Sequence, residues 1–465
     1  MCYHAPMNRK HVHDMLWSLL GLIIPSLIIL AYTPIYIDQF GLAFYGKYIV
    51  LMAVVLFLCF LDGNLPDFIS LRMRDGEFGS NVGESFVLSA LIGLLISILF
   101  LISAIALKYA LNIMPSTSIW VIPCISAITF FSIINGWVSG ALRGASRFRS
   151  LSIYQWIYSA APSTLLLLYA IYGHDNAVYR HYHAVGGLLS ILAGRSVVVC
   201  AAQAYMWRSI GVRMRMPSAS TLRDYWRFAR WNAAGSISGS IMSFAERLGL
   251  YGIIGADMVG VFHTAVNISM KLTTVPTALN NILFPRFRAN GMISTRPVNI
   301  IWAVQTATIS VFIVWSHVLM YWWIPSIGGM LWVSTIIMTI SIWLSSPSYI
   351  IGLIFMAEGR SRVMGRMLVM EIVPYIMAIY LLMDHYGLYG LVSAFALKGV
   401  VESIYVNFVN GSIPHYIKSI LWYLPCVVAA LIFMRGDVYT MVASTLLIIL
   451  YTYFVLMLRG IDNGK

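Results

Sequence analysis

The sequence predicts an all-α polytopic membrane protein of about fourteen transmembrane helices, arranged as two parallel-repeat six-helix lobes plus a C-terminal helix pair. Three observations predict it. Of 465 residues, 60% are hydrophobic and only 10% charged, with a mean hydropathy of +0.82; soluble domains are roughly one quarter charged, so this chain cannot clothe itself in a water-compatible surface. Continuous apolar stretches recur from end to end, many of them at or above the roughly 18 residues that a bilayer-crossing helix needs, and none alternates as a β-barrel strand would. Finally, the basic residues collect in every second connection between these stretches.

Apolar runs against polar breaks place the spans near 15–36, 43–62, 85–107, 118–140, 151–172, 184–206, 231–254, 257–283, 299–323, 330–356, 365–383, 387–409, 419–434 and 438–458. One set of connections and termini holds twenty-two Lys and Arg, six of them between Arg208 and Arg230. The opposite set holds only Lys47, Lys108, Arg180 and Arg435. The positive-inside rule then puts both termini in the cytoplasm, which requires an even number of spans. The same rule accounts for the net charge of +13 without nucleic acid. The polar start, "MCYHAPMNRKHVHDM", lacks a small-residue cleavage site, so the first span is expected to stay.

A displacement of 214 positions lays residues 15–74 on 229–288 without a gap. Trp17 meets Trp231, Gly21 meets Gly235, Gly41 meets Gly255, Gly46 meets Gly260, and "RMR" (72–74) meets "RFR" (286–288). Further on, "GLLSILAGR" (187–195) matches "GLVSAFALK" (390–398), making Arg195 and Lys398 equivalent. Six spans separate the copies, so both have one orientation and form a parallel repeat about an axis along the membrane normal. The expected organisation is an N-terminal lobe over 1–206, an Arg-rich cytoplasmic linker over 207–230, a C-terminal lobe over 231–410 and an extra helix pair over 411–465. In transporters built from repeats the substrate sits between the lobes near the midplane.

Charges near mid-span are few: Arg195, Glu246, Arg247, Lys271 and Lys398, with Glu371 and Glu402 nearer the cytoplasmic side. A charge at the bilayer centre costs at least about 2.5–3.5 kcal/mol on insertion scales, so each is expected to face protein or a wet cavity. Helical spacing agrees: Ser236, Ser240, Ser243 and Arg247 share one face of the seventh span, and His263, Asn267 and Lys271 one face of the eighth. Four cations against one midplane carboxylate make a positive cavity suited to an anionic ligand, and arginine's planar fork suits phosphate oxygens. Glu246, Glu371 and Glu402 are the candidates for ion coupling. A purely structural role stays open. Lys398 and Glu402 stand at i, i+4 and can neutralise each other; Glu246 can pair with Lys271 across neighbouring helices; and serine stripes also serve tight helix packing. Pro276, five residues after Lys271, is placed to kink the eighth span.

No P-loop is present, so no ATP site is expected in this chain. The non-cytoplasmic loops are short and hold single acids (Asp38, Asp175, Asp257, Asp384, Asp437), whereas a membrane glycosyltransferase or polysaccharide polymerase needs a carboxylate or metal-ligand cluster there. The five cysteines are scattered, and the pairs His11/His13 and His181/His183 lack further ligands, so no metal, cofactor or catalytic residue is expected.

Several stretches resemble the lipid-linked polysaccharide-repeat (O-antigen, Wzx-type) flippases of the multidrug/oligosaccharidyl-lipid/polysaccharide (MOP) exporter superfamily. They are "FGLAFYGKY" with "LDGNLPD", "GALRGASRF", "ERLGLYGIIGADMVGVFHTAVN" with "LFPRFR", and "YGLYGLVSAFALKGVVES". The resemblance covers nearly all of residues 15–410. It implies a MATE-like pair of six-helix lobes, alternating access, and a bacterial inner-membrane location. The implied substrate is an undecaprenyl-diphosphate-linked oligosaccharide, moved from the cytoplasmic to the periplasmic leaflet for O-antigen, capsule or exopolysaccharide synthesis. Membrane lipids and the polymerase and chain-length proteins of the same pathway are the implied partners. The chain departs from the family pattern at Glu246–Arg247, where a lone aspartate is expected. A MATE-like drug or cation antiporter and, in another class, a polymerase or glycosyltransferase are the alternatives.

Overall fold

The computed structural model describes residues 9–74, 78–111, 120–173, 177–210, 214–274, 295–357 and 361–462. Among these residues every regular element is helical. They are α1 (Arg9–Phe40), α2 (Leu42–Phe60), α3 (Leu65–Arg74), α4 (Phe78–Leu111), α5 (Val121–Gly144), α6 (Phe148–Gly173), α7 (Ala177–Ile210), α8 (Ala219–Ile253), α9 (Ala256–Lys271), α10 (Thr295–Trp323), α11 (Gly328–Ala357), α12 (Ser361–Tyr386), α13 (Leu388–Val409), α14 (Ile413–Phe433) and α15 (Val438–Asp462), with a 3-10 turn at Pro325–Ile327. Eleven of the described helices are long and apolar enough to cross a membrane. The expected fifth, seventh and eighth spans lie on α6, α8 and α9, which are not among those eleven. Charged residues interrupt α8, and α9 is described over 16 residues only. Pro276 and the far half of the eighth span lie outside the described residues.

By its contacts the chain divides into two compact units, Met1–Phe244 and Ala245–Lys465, and the division falls inside α8. In the first unit α5 is the central helix, packed against α2, α3, α4, α6 and α7. Its sequence explains the position. Gly140 lets α3 approach so closely that a Cβ there would lie 2.5 Å from the carbonyl oxygen of Pro66. Ser126 and the α4 residue Ser97 each donate to the other's backbone carbonyl, at 2.8 and 3.0 Å. Small residues and interhelical hydroxyl bonds are how helices associate where lipid removes the hydrophobic drive. Trp137, fully buried, donates its indole N–H to Ser85 on α4 at 3.1 Å.

The second unit is organised likewise around α11, which packs against α9, α10, α12 and α13. Buried Trp343 donates to Thr306 on α10 at 2.9 Å, as Trp137 does to the helix before its own. The trailing helices α14 and α15 pack on α10: Tyr416 stacks on Trp302 at 6.0 Å, and Trp315 donates to Thr445 at 3.2 Å.

The two glycines that the repeat superposes behave alike. Gly41 (φ 80°) separates α1 from α2, and Gly255 (φ 121°) separates α8 from α9. At both, the chain breaks a helix with a backbone conformation that side chains resist, then starts the next one within a residue. Both turns are too short to hold a loop.

Candidate functional site

Three polar assemblies among the described residues contain the charges singled out from the sequence. The first is in the first unit, on α7. Gly194 brings α7 against α6: a Cβ there would stand 2.7 Å from the backbone of Pro162. That close approach sets the next residue, Arg195, over the ring of Tyr158 on α6, with its Cζ 5.7 Å from the centroid. Its Nη1 donates to Ser132 on α5 at 2.6 Å, and its buried Nε–H has no acceptor. Among the described residues Arg195 has no ion pair.

The second assembly is in the second unit and answers why a glutamate and an arginine stand together at 246–247. Both are buried, at 5% and 7% exposure. Glu246 accepts a 2.7 Å hydrogen bond from the hydroxyl of Tyr375 on α12 and lies 3.9 Å from Arg247 Nη1. The other face of this tyrosine's environment is Lys398 on α13, whose Nζ is 5.1 Å from the ring centroid and 3.3 Å from Glu402 Oε1. One turn before Tyr375, both carboxylate oxygens of Glu371 are buried without a hydrogen-bond partner. Glu371, Tyr375 and Lys398 line a cleft of about 290 Å³ whose other walls are apolar, among them Met367, Pro374 and Leu397.

Around Tyr375 two cations, Arg247 and Lys398, stand with three carboxylates, Glu246, Glu402 and Glu371. The Lys398–Glu402 pair is the i, i+4 pair read from sequence. Glu246 does not pair with Lys271; its partner is a tyrosine 129 positions away. Tyr375 was missed by sequence reasoning, although its i+4 spacing from Glu371 was a usable signal. Ser132 and Tyr158 gave none.

Arg195 and Lys398 are matched in the repeat, and each lies over a tyrosine of the preceding helix. They differ one turn later: Lys398 is followed by Glu402, whereas Arg195 is followed by Val199, which is fully buried. Where the second repeat offers a carboxylate, the first offers a hydrocarbon.

The third assembly is on α9. Asn267 bonds His263 at 2.9 Å, and His263 lies within electrostatic reach of both Arg247 and Lys271. Lys271 has no ion pair or hydrogen bond among the described residues. On α8, Ser240 turns its hydroxyl back to the Ser236 carbonyl at 2.7 Å. Ser236, Ser240 and Ser243 belong to the first unit and Arg247 to the second. Among the described residues no group of three His, Cys, Asp or Glu side chains is arranged to hold a metal ion.

Fold and sites together define a multi-pass helical membrane protein that keeps ionisable groups among its spans. The structure is similar to an inward-closed lipid II flippase MurJ (TM-score 0.72, 11% identity, 97% of this chain and 100% of that one). It is also similar to an inward-facing multidrug resistance MATE family transporter of the MOP superfamily (TM-score 0.61, 17% identity, 89% and 98%). In sequence it is 19% identical over 282 residues to a Shigella flexneri protein provisionally named an O-antigen transporter. That match spans 58% of this chain and 65% of the relative, just under two thirds of its length. No family model matches the chain.

Proposed function

We propose that the chain is a flippase that carries an undecaprenyl-diphosphate-linked oligosaccharide repeat unit from the cytoplasmic to the periplasmic leaflet of a bacterial inner membrane, with both termini in the cytoplasm. The observation that carries this reading is Arg195. Among the described residues no carboxylate pairs with this guanidinium, and an unpaired guanidinium in a membrane helix is a standing cost that an anionic ligand relieves. With Nη1 committed to Ser132, the Nε side of the fork remains for a phosphate, and bidentate arginine–phosphate pairing is the strong form of that contact. Leaving a buried N–H unmade costs about 1–3 kcal/mol, so a conformation that admits an anion is favoured once the anion is present. Lys271, without an ion pair among the described residues, supplies a second cation. The lobes proposed from the repeat (1–206 and 231–410) would move by alternating access, with the helix pair beyond 410 as an addition.

The similarity to a lipid II flippase and to a provisional O-antigen transporter supports a lipid-linked saccharide as the cargo. The test is complementation: in a deletion strain, Arg195→Gln should insert and fold yet restore little surface polysaccharide, while Arg195→Lys restores more. Normal polysaccharide from Arg195→Gln would reject the assignment.

A second reading draws on Glu371. Its unmatched carboxylate beside Lys398 and Glu402 is what a cation antiporter requires, and in the flippase reading the same group serves ion coupling. Drug resistance lost with Glu371→Gln, alongside unchanged polysaccharide, would favour the antiporter.

A further inference from the structure

The 35-residue helix α8 is longer than the membrane it enters. At 1.5 Å per residue it measures about 52 Å, against roughly 30 Å of hydrocarbon. Its excess lies at the N-terminal end, where Ser218 caps the helix by accepting the Thr221 N–H at 3.2 Å. In the orientation proposed above, the first three turns would stand in and just beyond the headgroup layer.

One face of those turns is fixed to the first unit. Thr221, fully buried, donates to Glu84 at 2.7 Å; Tyr225 donates to the Asp62 carbonyl at 2.5 Å; and Phe228 packs on Phe68 at 5.7 Å. This part of the helix is thus fixed to the first unit along one face. Among the described residues the opposite face is uncovered, and it is unlike an ordinary soluble surface. Trp226 is 70% exposed and Leu222 46%, one turn apart, and Met214 and Met216 precede them at 61% and 74%. Exposed Arg215, Arg223 and Arg227 flank these residues, with Asp224 the one acid on residues 214–230.

We infer that this face is a docking surface for anionic phospholipid headgroups of the cytoplasmic leaflet. Arginines supply the charge complement to phosphate, and Trp226 and the methionines supply the apolar contact that a headgroup–acyl boundary takes. A tryptophan held at headgroup depth on an immobilised helix has its amphipathic ring where the interface favours it. The surface rests on the cytoplasmic orientation proposed above but not on the identity of the cargo.

The test uses the full chain in an uncharged detergent, titrated with dioctanoyl-phosphatidylglycerol or dioctanoyl-phosphatidylcholine. Bound lipid is counted by native mass spectrometry, and the melting midpoint is followed alongside. The expected result is selective retention of phosphatidylglycerol, weakened on the order of 100-fold by the combined change Arg215→Gln, Arg223→Gln and Arg227→Gln, at roughly fivefold per arginine. Trp226→Ser should weaken it further without altering the salt dependence. Equal binding of the two lipids, or an unchanged affinity in the triple variant, would overturn the inference. Should the triple variant fail to fold, raising the salt on the wild-type chain from about 0.05 to about 0.5 M decides: screening must reduce the selectivity, and an unmoved preference counts against the arginines. If both lipids bind alike while the triple variant loses a co-purifying acidic cytoplasmic protein, the face belongs to that protein and the lipid assignment fails. None of these readouts depends on transport.

Discussion

Replacing Arg195 should separate stability from function. The side chain makes one hydrogen bond, to Ser132, one ring contact, with Tyr158, and no ion pair among the described residues. Removing it costs about 1 kcal/mol for the hydrogen bond. It also relieves the burden of an unmatched charge in a membrane helix, about 2.5–3.5 kcal/mol on insertion scales. Arg195→Gln keeps a donor for Ser132 and discards the charge, so the variant should be at least as stable as the wild type. An arginine–phosphate bond is a charge-assisted one, worth about 1.5–3 kcal/mol, so loss of the guanidinium should weaken cargo binding roughly 10- to 150-fold. The assay pairs a melting curve on purified protein with surface polysaccharide in a complemented deletion strain. A melting midpoint that falls by many degrees would show that the arginine is structural. A stable variant with wild-type polysaccharide would show that it touches no cargo.

Gly194→Ala should destabilise by about 1–3 kcal/mol through overpacking, because the new methyl meets the Pro162 backbone, which cannot swing aside as a flexible side chain would; thermal unfolding reads this. Tyr375→Phe keeps the ring beneath Lys398 and removes the bond to buried Glu246, so a loss of about 1.5–3 kcal/mol is expected, and a melting curve matching wild type would remove Tyr375 from the network. Just past the C-terminal end of α2, burial pushes the Asp62 carboxyl up to about 6, against the lowering effect of the Asn64 and Leu65 N–H groups, with Asp67 adding to the rise. A raised carboxyl pKa favours the protonated folded form, so this contribution is complete below about 4 and is lost as pH climbs through about 6. Asp62→Asn, whose amide oxygen can still accept the Asn64 N–H, should flatten stability between those values; an unchanged pH profile would contradict it.

Much of the fold could be read because membrane helices announce themselves one at a time. Length and apolarity mark each span, and the glycines at 41 and 255 mark the breaks where a positive φ leaves little choice of residue. The beginning of α8 was not legible. The seventh span was expected to start at Trp231, since Arg223, Arg227 and Arg230 read as linker, but the helix begins at Ala219 because one of its faces packs on the Asp62–Phe68 segment. Hydropathy is blind to that packing. The site shows the same division. Lys398–Glu402 is a local pair with helical spacing, whereas the partner of Glu246 comes from a helix 129 residues on. Arg195 was singled out as a charge in an apolar run, yet its lack of a counter-ion emerges only when Ser132 and Tyr158 are seen around it.

The proposed movement of a lipid-linked saccharide between leaflets is tested most directly by following undecaprenyl-linked sugars in a deletion strain with a membrane-impermeant probe of the outer leaflet. Single repeat units should be trapped on the cytoplasmic side, out of the probe's reach, and released by the wild-type gene but not by Arg195→Gln. Single units that reach the outer leaflet but are never joined would contradict it and make the chain part of the polymerising step.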